Sequence, residues 1–513
     1  METQAPESRV LIVMTGGTIC MKPNANGLAP SRSFLENGMS PWPIFNDGSN
    51  PDPLPVMIDS NTLQSQPSLR TPRNTYSRHV RYSLYEFPKL LDSSSISSKG
   101  WTQIATTIQN NYSLFDGFVV LHGTDSLAYT SSALSFMLNY LGKPVILTGS
   151  QTSIYALQSD AVDNLLGSLI IAGTFMIPEV CLFFHHTLYR GNRCTKVSTS
   201  SLNAFASPNY EPLAKITSKG AEVNWRLIQR PKSIARFQVQ SNLEIGYVVC
   251  FRIFPGMRPE MLDSVLRVEN LHGLILETFG AGNAPHDEDG RFLKVIKAAV
   301  QRKIVIVNVS QCQSGFVMPL YESGTALRDA GVIFGFDLTT EAALTKLSYL
   351  LGLTGLSHED ILSKMQTPIC GEMSEMNLTS FSHPISDFAQ SDQSAFTSLG
   401  YAISEGNIQK VRDLLERDPH LLHQAKDYSN NTALHLAALG PSKEVLGELL
   451  KRGASVHVRN RTNNTPLFLA YQAGNDEIVE LLSNAGALLH IEERIKSNKK
   501  LKNNVEQIQK KES

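Results

Sequence analysis

The sequence lacks long apolar runs, paired cysteines and a strong net charge, and each absence excludes a class of protein. No apolar run approaches the roughly 20 residues that span a bilayer. The formal net charge is -1, so we expect neither nucleic acid nor an anionic membrane as a partner. The six cysteines contain no C-x-x-C pair, which predicts reduced thiols in the cytoplasm. Because Glu2 and Glu7 precede the first apolar run, we expect no secretory signal.

Metal and cofactor chemistry also lack a sequence signal. No cluster of His, Cys and Asp has the spacing of metal ligands, so we expect no metal and no cofactor. No G-x-S-x-G motif occurs either, which argues against a serine nucleophile at a strand-to-helix elbow. Hydrophobic residues nevertheless make up 42% of the chain, which is ample for globular cores.

The composition changes several times along the chain, and the changes predict the domain boundaries. Alternating strand and helix patterns occur twice, and a Ser-, Met- and Pro-rich stretch follows them. Early in the chain, residues 41–72 are rich in Pro, Asn and Ser, and indicate either a lid or a disordered insert. The predicted division is an N-terminal α/β domain over 8–210, an interdomain linker over 211–245, a C-terminal α/β domain over 246–372, a flexible linker over 373–395, repeats over 396–492 and a polar tail over 493–513.

The C-terminal region repeats itself. The segment Thr432–Ala437 returns as Thr465–Ala470, and 465 minus 432 is 33. Gly453 returns as Gly486 at the same interval, and a degenerate copy begins near Thr397. The period and the residues resemble the ankyrin repeat, so we expect about three stacked pairs of helices. Such an array is either a surface for a protein partner or an appendage without one.

Two apolar strands end abruptly in glycine and threonine. Val10–Met14 leads into Thr15–Ile19 (TGGTI), and Gly117–Leu121 leads into His122–Asp125 (HGTD). In an open α/β sheet, ligands bind in the crevice outside the carboxyl ends of the strands. Glycine beside each threonine permits a sharp turn and a close approach of the ligand to the main chain. The sequence therefore predicts a hydrolytic site built on hydroxyl groups.

The first turn offers two candidate hydroxyls. Thr15 suits a strand position or a cap, whereas Thr18 follows two glycines that leave its hydroxyl uncovered. At the second turn, Thr124 lies beside Asp125, which alone would serve equally well as a helix N-cap. A threonine nucleophile needs a proton acceptor because its own pKa is far above neutrality.

Lys196 is the candidate cation for the second turn. It lies among apolar neighbours near the end of a predicted strand, where a desolvated lysine can accept or relay a proton. The alternative is an ordinary solvated surface lysine.

Together these segments resemble the L-asparaginase/glutaminase family, of the cytoplasmic bacterial and mammalian kind, over about residues 8–371. The resemblance implies a larger N-terminal mixed-sheet α/β domain and a smaller C-terminal α/β domain, which an all-α ankyrin array would follow here. The segments that carry it are Thr15–Ile19 (TGGTI), Asp92–Ser94 (DSS), His122–Asp125 (HGTD), Thr148–Gln151 (TGSQ) and Gly191–Lys196 (GNRCTK).

The resemblance also implies catalytic roles. Thr18 would form a β-aspartyl ester with L-asparagine, and Thr124, Asp125 and Lys196 would handle protons and position the deacylating water. Asp92, Ser93 and Ser94 would hold the α-amino and α-carboxylate groups of the substrate, together with Thr124 and Asp125. Without the resemblance, the segment after Asp92 reads as an ordinary loop or a helix cap.

Bacterial members carry a tyrosine just after the first turn, and this chain departs from that pattern. It has no tyrosine between Cys20 and Thr75, so the general base for Thr18 is open; Tyr321 is a candidate substitute. The resemblance further suggests a homodimer or homotetramer, and a second, allosteric site that includes Thr195 and Asn283. A tight turn explains Asn283 equally well.

We therefore expect a cytoplasmic amidohydrolase that converts L-asparagine to L-aspartate and ammonia. Two other functions remain open. The same core can act as an esterase on lysophospholipid, or the catalytic domain can be vestigial beside an array that works as a scaffold.

Overall fold

The computed structural model describes residues 7–24, 27–243, 245–285, 289–319, 322–374, 392–423 and 430–495. The first part of the chain forms a large α/β domain. Its helices are α1 Ser98–Asn111, α2 Leu127–Met137 and α3 Ala161–Thr174. Its strands are β1 Glu7–Gly16, β2 Met21–Asn24, β3 Gly27–Pro30, β4 Leu54–Met57, β5 Leu63–Gln66, β6 Ser68–Arg70, β7 His79–Leu91, β8 Gly117–Leu121, β9 Leu138–Asn139, β10 Val145–Thr148, β11 Val180–Phe184, β12 Thr187–Arg190, β13 Thr195–Lys196, β14 Phe205–Ala206, β15 Ala214–Thr217, β16 Gly220–Val223 and β17 Gln238–Val239.

One large mixed sheet organises this domain, in the order β16-β15-β12-β11-β10-β8-β1-β7-β6. The central strands β7, β1, β8, β10 and β11 run parallel, and the strands outside them pair antiparallel. The predicted mixed-sheet domain is confirmed. Parallel central strands bring their carboxyl ends to one edge, where ligands bind in open α/β sheets.

Side-chain alternation along β1 explains why this strand lies at the centre of the sheet. Leu11 and Val13 pack into one apolar cluster with α1 and α2, whereas Val10, Ile12 and Met14 pack into a second cluster with α3. Because both faces of a central parallel strand are covered by helices, its sequence is continuously apolar.

Two segments that the sequence places outside regular structure contain strands. The expected linker 211–245 adds β15 and β16 to one edge of the sheet, and Leu213 is fully buried there. The long loop over 41–72 contains the β4–β5 hairpin and the edge strand β6. Both segments are polar because edge strands expose much of their surface, so their composition resembles that of loops.

A smaller α/β domain follows, as predicted. Its strands form one parallel sheet in the order β18-β19-β20-β21, with α4 and α5 on one face and α7 on the other. Its elements are β18 Val248–Arg252, α4 Pro259–Leu266, β19 Gly273–Thr278, α5 Arg291–Gln301, β20 Val305–Ser310, α6 Glu322–Asp329, β21 Ile333–Phe334, α7 Thr340–Gly352 and α8 His358–Met365.

The C-terminal array consists of helix pairs around one apolar core, in agreement with the predicted repeats. The second helix of each pair begins at a side-chain cap, supplied by Asn407, Ser442 and Asn475. These caps recur at intervals close to the period of the sequence repeat. Each repeat therefore contains both a helix cap and a share of the apolar core. The helices are α9 Asp392–Ser404, α10 Ile408–Arg417, α11 Ala433–Leu439, α12 Lys443–Lys451, α13 Pro466–Ala473 and α14 Asp476–Asn484.

The array is docked on the large domain. The Asp116 carboxylate, which follows α1, accepts a hydrogen bond from Arg459 at 2.7 Å and lies 3.3 Å from Nδ1 of His490. The repeated glycines Gly453 and Gly486 have positive φ and lie against residues 230–237, so a Cβ at either position would press on that segment. Most of the expected flexible linker 373–395 lies outside the described residues.

The boundary between array and tail differs from the prediction. Glu493, expected to begin the polar tail, is buried and accepts a hydrogen bond from the backbone N–H of Thr465 at 2.7 Å. It therefore belongs to the array, and the rest of the expected tail is described only to residue 495. Among the described helices, none is long and apolar enough to cross a membrane.

Candidate active site

The candidate residues lie at the carboxyl ends of neighbouring parallel strands. Thr18 follows β1, Ser93 follows β7 and Thr124 follows β8, while Gln151 follows β10. Since these strands are adjacent in the sheet, four segments that are distant in sequence meet at one edge. The structure therefore brings together the strand ends at which the sequence predicts a ligand-binding crevice.

A pair of glycines holds these segments together. Gly16 and Gly17 have φ angles of 132° and 91°. A Cβ on Gly16 would lie 2.2 Å from the carbonyl oxygen of Leu91, and one on Gly17 would lie 2.5 Å from the backbone nitrogen of Gly123. Both approaches exclude any side chain, so only glycine lets the turn after β1 pass between the ends of β7 and β8.

The structure separates the two threonines of the first turn. Thr15 is 2% exposed, and its hydroxyl donates a hydrogen bond to the carbonyl of Leu121 at 2.9 Å, which ties β1 to β8. Thr18 is half-buried at the start of a short 3-10 turn that directly follows the two glycines. This arrangement favours Thr18 over Thr15 as the reactive hydroxyl.

Lys196 joins the residues of the second turn. Its Nζ donates hydrogen bonds to Oγ1 of Thr124 at 2.9 Å and to Oδ1 of Asp125 at 2.7 Å. The lysine side chain is 18% exposed and that of Asp125 is 66% exposed, so the ion pair opens to solvent through its carboxylate. Hydroxyl, amine and carboxylate thus form one connected chain along which a proton can move.

The small domain fixes the position of Lys196. Its neighbour Thr195 donates a hydrogen bond from its hydroxyl to Glu341 at 2.8 Å, at the start of α7. Burial raises the pKa of the Glu341 carboxyl. Arg193 forms a buried ion pair with Asp337 at 2.7 Å, which anchors the same segment. These contacts leave the lysine backbone little freedom.

The segment after β7 lies against the turn after β8. Asp92 is exposed, and its carboxylate accepts a hydrogen bond from the backbone N–H of Ser94 at 3.2 Å, so it caps a short turn as the sequence alone suggests. Ser93 is buried under Gly123, and its carbonyl accepts a hydrogen bond from Oγ of Ser126 at 2.6 Å. Asp125 does not cap α2, because Ser126 occupies the N-cap position.

Sequence reasoning assigned no role to two further residues of this site. Gln151 accepts a hydrogen bond from the Thr124 hydroxyl at 3.4 Å. In the sequence, only its place in the TGSQ segment could have indicated that it belongs to the site. His122 lies beneath the second turn, with Nδ1 2.8 Å from the carbonyl of Gly123 and Nε2 3.0 Å from Oγ1 of Thr130. Burial lowers the pKa of His122 to about 4, so this ring is neutral and orients the turn.

The predicted regulatory residue Asn283 belongs to the small domain, in the turn after β19. Asn283 accepts a hydrogen bond from Ser323 at 2.9 Å, so among the described residues it has different partners from Thr195. Asn283 closes a turn in which the residues with positive φ are Gly280 and Gly282. Asn283 itself does not adopt the left-handed conformation that asparagine tolerates. Tyr321 lies outside the described residues.

Comparison with known proteins agrees with this architecture. Residues 9–229 match the family "Asparaginase, N-terminal", residues 247–365 match "Glutaminase/Asparaginase C-terminal domain" and residues 387–493 match "Ankyrin repeats (3 copies)". The chain is 36% identical to the "60 kDa lysophospholipase" of Mus musculus, over 87% of this chain and 79% of that protein. It is 38% identical to "L-asparaginase 1" of Escherichia coli K12, over 71% of this chain and 97% of that protein. The crystal structure of L-asparaginase I from Vibrio cholerae is 37% identical, with a TM-score of 0.59, and covers 72% of this chain and 100% of that one.

The glycine pair gives a testable prediction. Gly17 has φ 91° and ψ 170°, a backbone region that is essentially reserved for glycine and costs other residues about 1–3 kcal/mol. Gly17→Ala adds to this strain a collision with Gly123, so we expect a lower melting temperature in thermal unfolding. Gly246→Ala is the matched control, because a Cβ at Gly246 meets no atom within 4 Å. Equal melting temperatures for the two variants would contradict the close approach.

Proposed function

Because the chain belongs to the glutaminase/asparaginase family, we propose that it hydrolyses L-asparagine to L-aspartate and ammonia with Thr18 as the nucleophile. Its family makes it an amidohydrolase. The observation that carries the proposal is the position of Lys196, whose Nζ lies 2.9 Å from Oγ1 of Thr124 and 2.7 Å from Oδ1 of Asp125. Such a connected hydroxyl, amine and carboxylate is suited to moving a proton at an acyl centre.

In the proposed first step, Oγ1 of Thr18 attacks the side-chain amide carbon of asparagine. The C–N bond breaks, the nitrogen takes up the proton that the Thr18 hydroxyl gives up and leaves as ammonia, and a β-aspartyl ester remains on Thr18. Backbone N–H groups of the two glycine turns are available to stabilise the oxyanion. Asp92 and Ser93, with the neighbouring Ser94, are proposed to hold the α-amino and α-carboxylate groups of the substrate.

In the second step, water attacks the ester and releases aspartate. We assign the water to the set formed by Thr124, Asp125 and Lys196, which is joined by hydrogen bonds. The water loses a proton toward this set as the Thr18 hydroxyl regains one. The exposed carboxylate of Asp125 also suits the ammonium group of the substrate.

Two other functions follow from the same chain. An esterase acting on lysophospholipid would use the same nucleophile, and one relative carries the name lysophospholipase. A scaffold with a vestigial catalytic domain would rely on the repeat array alone. The connected set around Lys196 argues against the scaffold, because a vestigial site has no need of it. Ammonia release from asparagine, measured beside fatty-acid release from lysophosphatidylcholine, separates all three functions.

The nucleophile assignment predicts the effect of Thr18→Ala. Turnover of asparagine should fall by about 10³-fold or more, since both steps pass through the ester. The melting temperature should remain near that of the wild type, because the Thr18 side chain is half-buried at a turn. Thr15→Val is the informative companion, since it removes a hydroxyl that ties two strands and should lower stability instead. Near-normal turnover in Thr18→Ala would refute the assignment.

Lys196→Met tests the proton-handling set. The substitution keeps the apolar stem and removes the amine, so kcat should fall by about 10²–10⁴-fold, and KM should fall with it because the ester accumulates when deacylation is slow. A rise in KM with an unchanged kcat would mean that the lysine only binds substrate. Steady-state kinetics of ammonia release, measured across pH, distinguishes the two outcomes.

The finer properties are also proposals. We propose a cytoplasmic enzyme, in keeping with six cysteines that are all free thiols. We further propose a homodimer or homotetramer that asparagine regulates at a second site near Thr195 and Asn283, and a protein partner for the ankyrin array. Velocity against asparagine should then be sigmoidal, because an effector shifts a two-state equilibrium by its differential affinity. Hyperbolic kinetics would remove the regulatory site, and an active monomer in light scattering would remove the oligomer.

A further inference from the structure

A cavity of about 400 Å³ lies between the large domain and the ankyrin array. The large domain lines it with Arg78, Phe175 and Trp225, and the array lines it with His457 and Arg459. Its described lining shares no residue with the site at the strand ends. Sites for small molecules occupy about 300–1,000 Å³, so the volume suits a compact ligand.

The cavity lining carries more positive than negative charge. Among the described residues that line it there is one carboxylate, that of Asp116, and there are three arginines, Arg78, Arg230 and Arg459. This carboxylate is already engaged by Arg459, by the backbone N–H of Arg9 at 2.8 Å and by His490. One anion therefore serves several cations, and an excess of positive charge remains in the cavity.

Arg78 and Arg230 stay charged in spite of burial. Burial lowers the pKa of Arg230 to about 10, although Glu179 acts in the opposite direction, and it also lowers the pKa of Arg78. The Glu179 carboxylate is engaged by Arg190 at 2.6 Å. The histidines of the lining are neutral, since burial lowers the pKa of His457 well below its usual value and that of His423 to about 3. Desolvated cations of this kind bind an anion more strongly than exposed ones do.

Several buried polar atoms around the cavity lack a hydrogen-bond partner among the described residues. They include Nε of Arg230, Oγ of Ser455, Nδ1 of His457 and Nε of Arg459. The His457 residue is 3% exposed and the Arg459 side chain is 9% exposed. The Cδ2–Nε2 edge of His457 packs on Gly142, so its Nδ1 lies on the opposite edge of the ring. Buried polar atoms normally have partners, and the four residues that carry these atoms all line this cavity.

An aromatic cluster forms part of the large-domain wall. The ring centroids of Tyr76 and Phe175 are 5.0 Å apart, and those of Phe175 and Trp225 are 6.2 Å apart. The Arg230 guanidinium lies 5.6 Å from the centre of the Trp225 ring, which joins the aromatic and cationic parts of the wall. Aromatic faces of this kind stack on flat rings.

We propose that this cavity is a binding site for a small organic dianion that carries a planar ring. Its phosphate or carboxylate oxygens would accept hydrogen bonds from Arg230, Arg459 and Ser455, and its ring would pack beside Trp225. Both domains supply contacts, so the bound ligand would hold the array on the large domain and stabilise the folded chain.

Trp225 supplies a direct reporter for the full-length protein. The chain has 3 tryptophans, so Trp225→Phe gives the background from Trp42 and Trp101. The probes are adenosine 5′-monophosphate and phthalate, which represent the phosphate and carboxylate sources of the dianion, and inorganic phosphate, which has no ring. Each is titrated while tryptophan fluorescence and melting temperature are recorded.

We expect saturable quenching by at least one ringed probe, a higher melting temperature and weaker binding of inorganic phosphate. Arg230→Gln should weaken binding at least tenfold, whereas Arg328→Gln, which removes an exposed arginine of the small domain, should leave it unchanged. Asparagine turnover at the wild-type rate verifies that each variant is folded, and Arg78→Gln replaces any variant that is not. The proposal would be overturned if neither ringed probe quenched the fluorescence saturably. It would also be overturned if Arg230→Gln bound the probes as tightly as the wild type. Phosphate that binds as tightly as the ringed probes would exclude the role of the ring.

Discussion

The close approach of the backbone at Gly16 and Gly17 is the constraint on which the site depends. These residues pass between the end of β7 at Leu91 and the turn after β8 at Gly123, at distances that leave no room for a Cβ. Because the approach brings three strand ends together, the hydroxyls that follow them can share one substrate. Thr15 strengthens the same junction through its hydrogen bond to Leu121. The turn that carries the candidate nucleophile Thr18 is thus fixed by backbone contacts.

The second half of the site depends on contacts between the two α/β domains. Lys196 belongs to a segment that Thr195 and Arg193 attach to Glu341 and Asp337 of the small domain. Helices α2 and α7 meet beside this segment, where Ser132 and Thr345 share a hydrogen bond of 2.7 Å. A group that moves protons must be held in place before the substrate arrives, and side chains anchored on packed elements meet this requirement. The small domain therefore supports a site to which the large domain supplies the chemistry.

The central fold and the neighbouring positions of the candidate site residues could be predicted from the sequence because both rest on local patterns. Apolar runs such as Val10–Met14 end in glycine and threonine, and such runs mark buried parallel strands and their ligand-binding ends. Contacts between segments that are distant in the chain could not be predicted from the sequence. Nothing near Asp116 indicates that its carboxylate meets Arg459 of the array, and the polar composition of residues 211–245 concealed the edge strands β15 and β16. The partner of the Thr124 hydroxyl, Gln151, was visible only as part of a motif whose geometry the sequence does not contain.

We propose that an acyl group forms on Thr18 and that the set around Lys196 removes it. The most direct measurement is rapid acid quenching during turnover of asparagine, followed by peptide mass spectrometry of the quenched protein. Lys196→Met is the preferred protein, because slow deacylation should allow the ester to accumulate. We expect an aspartyl adduct on the peptide that contains Thr18, and none on the peptide that contains Thr124. An adduct on Thr124 would reverse the two roles and contradict the account.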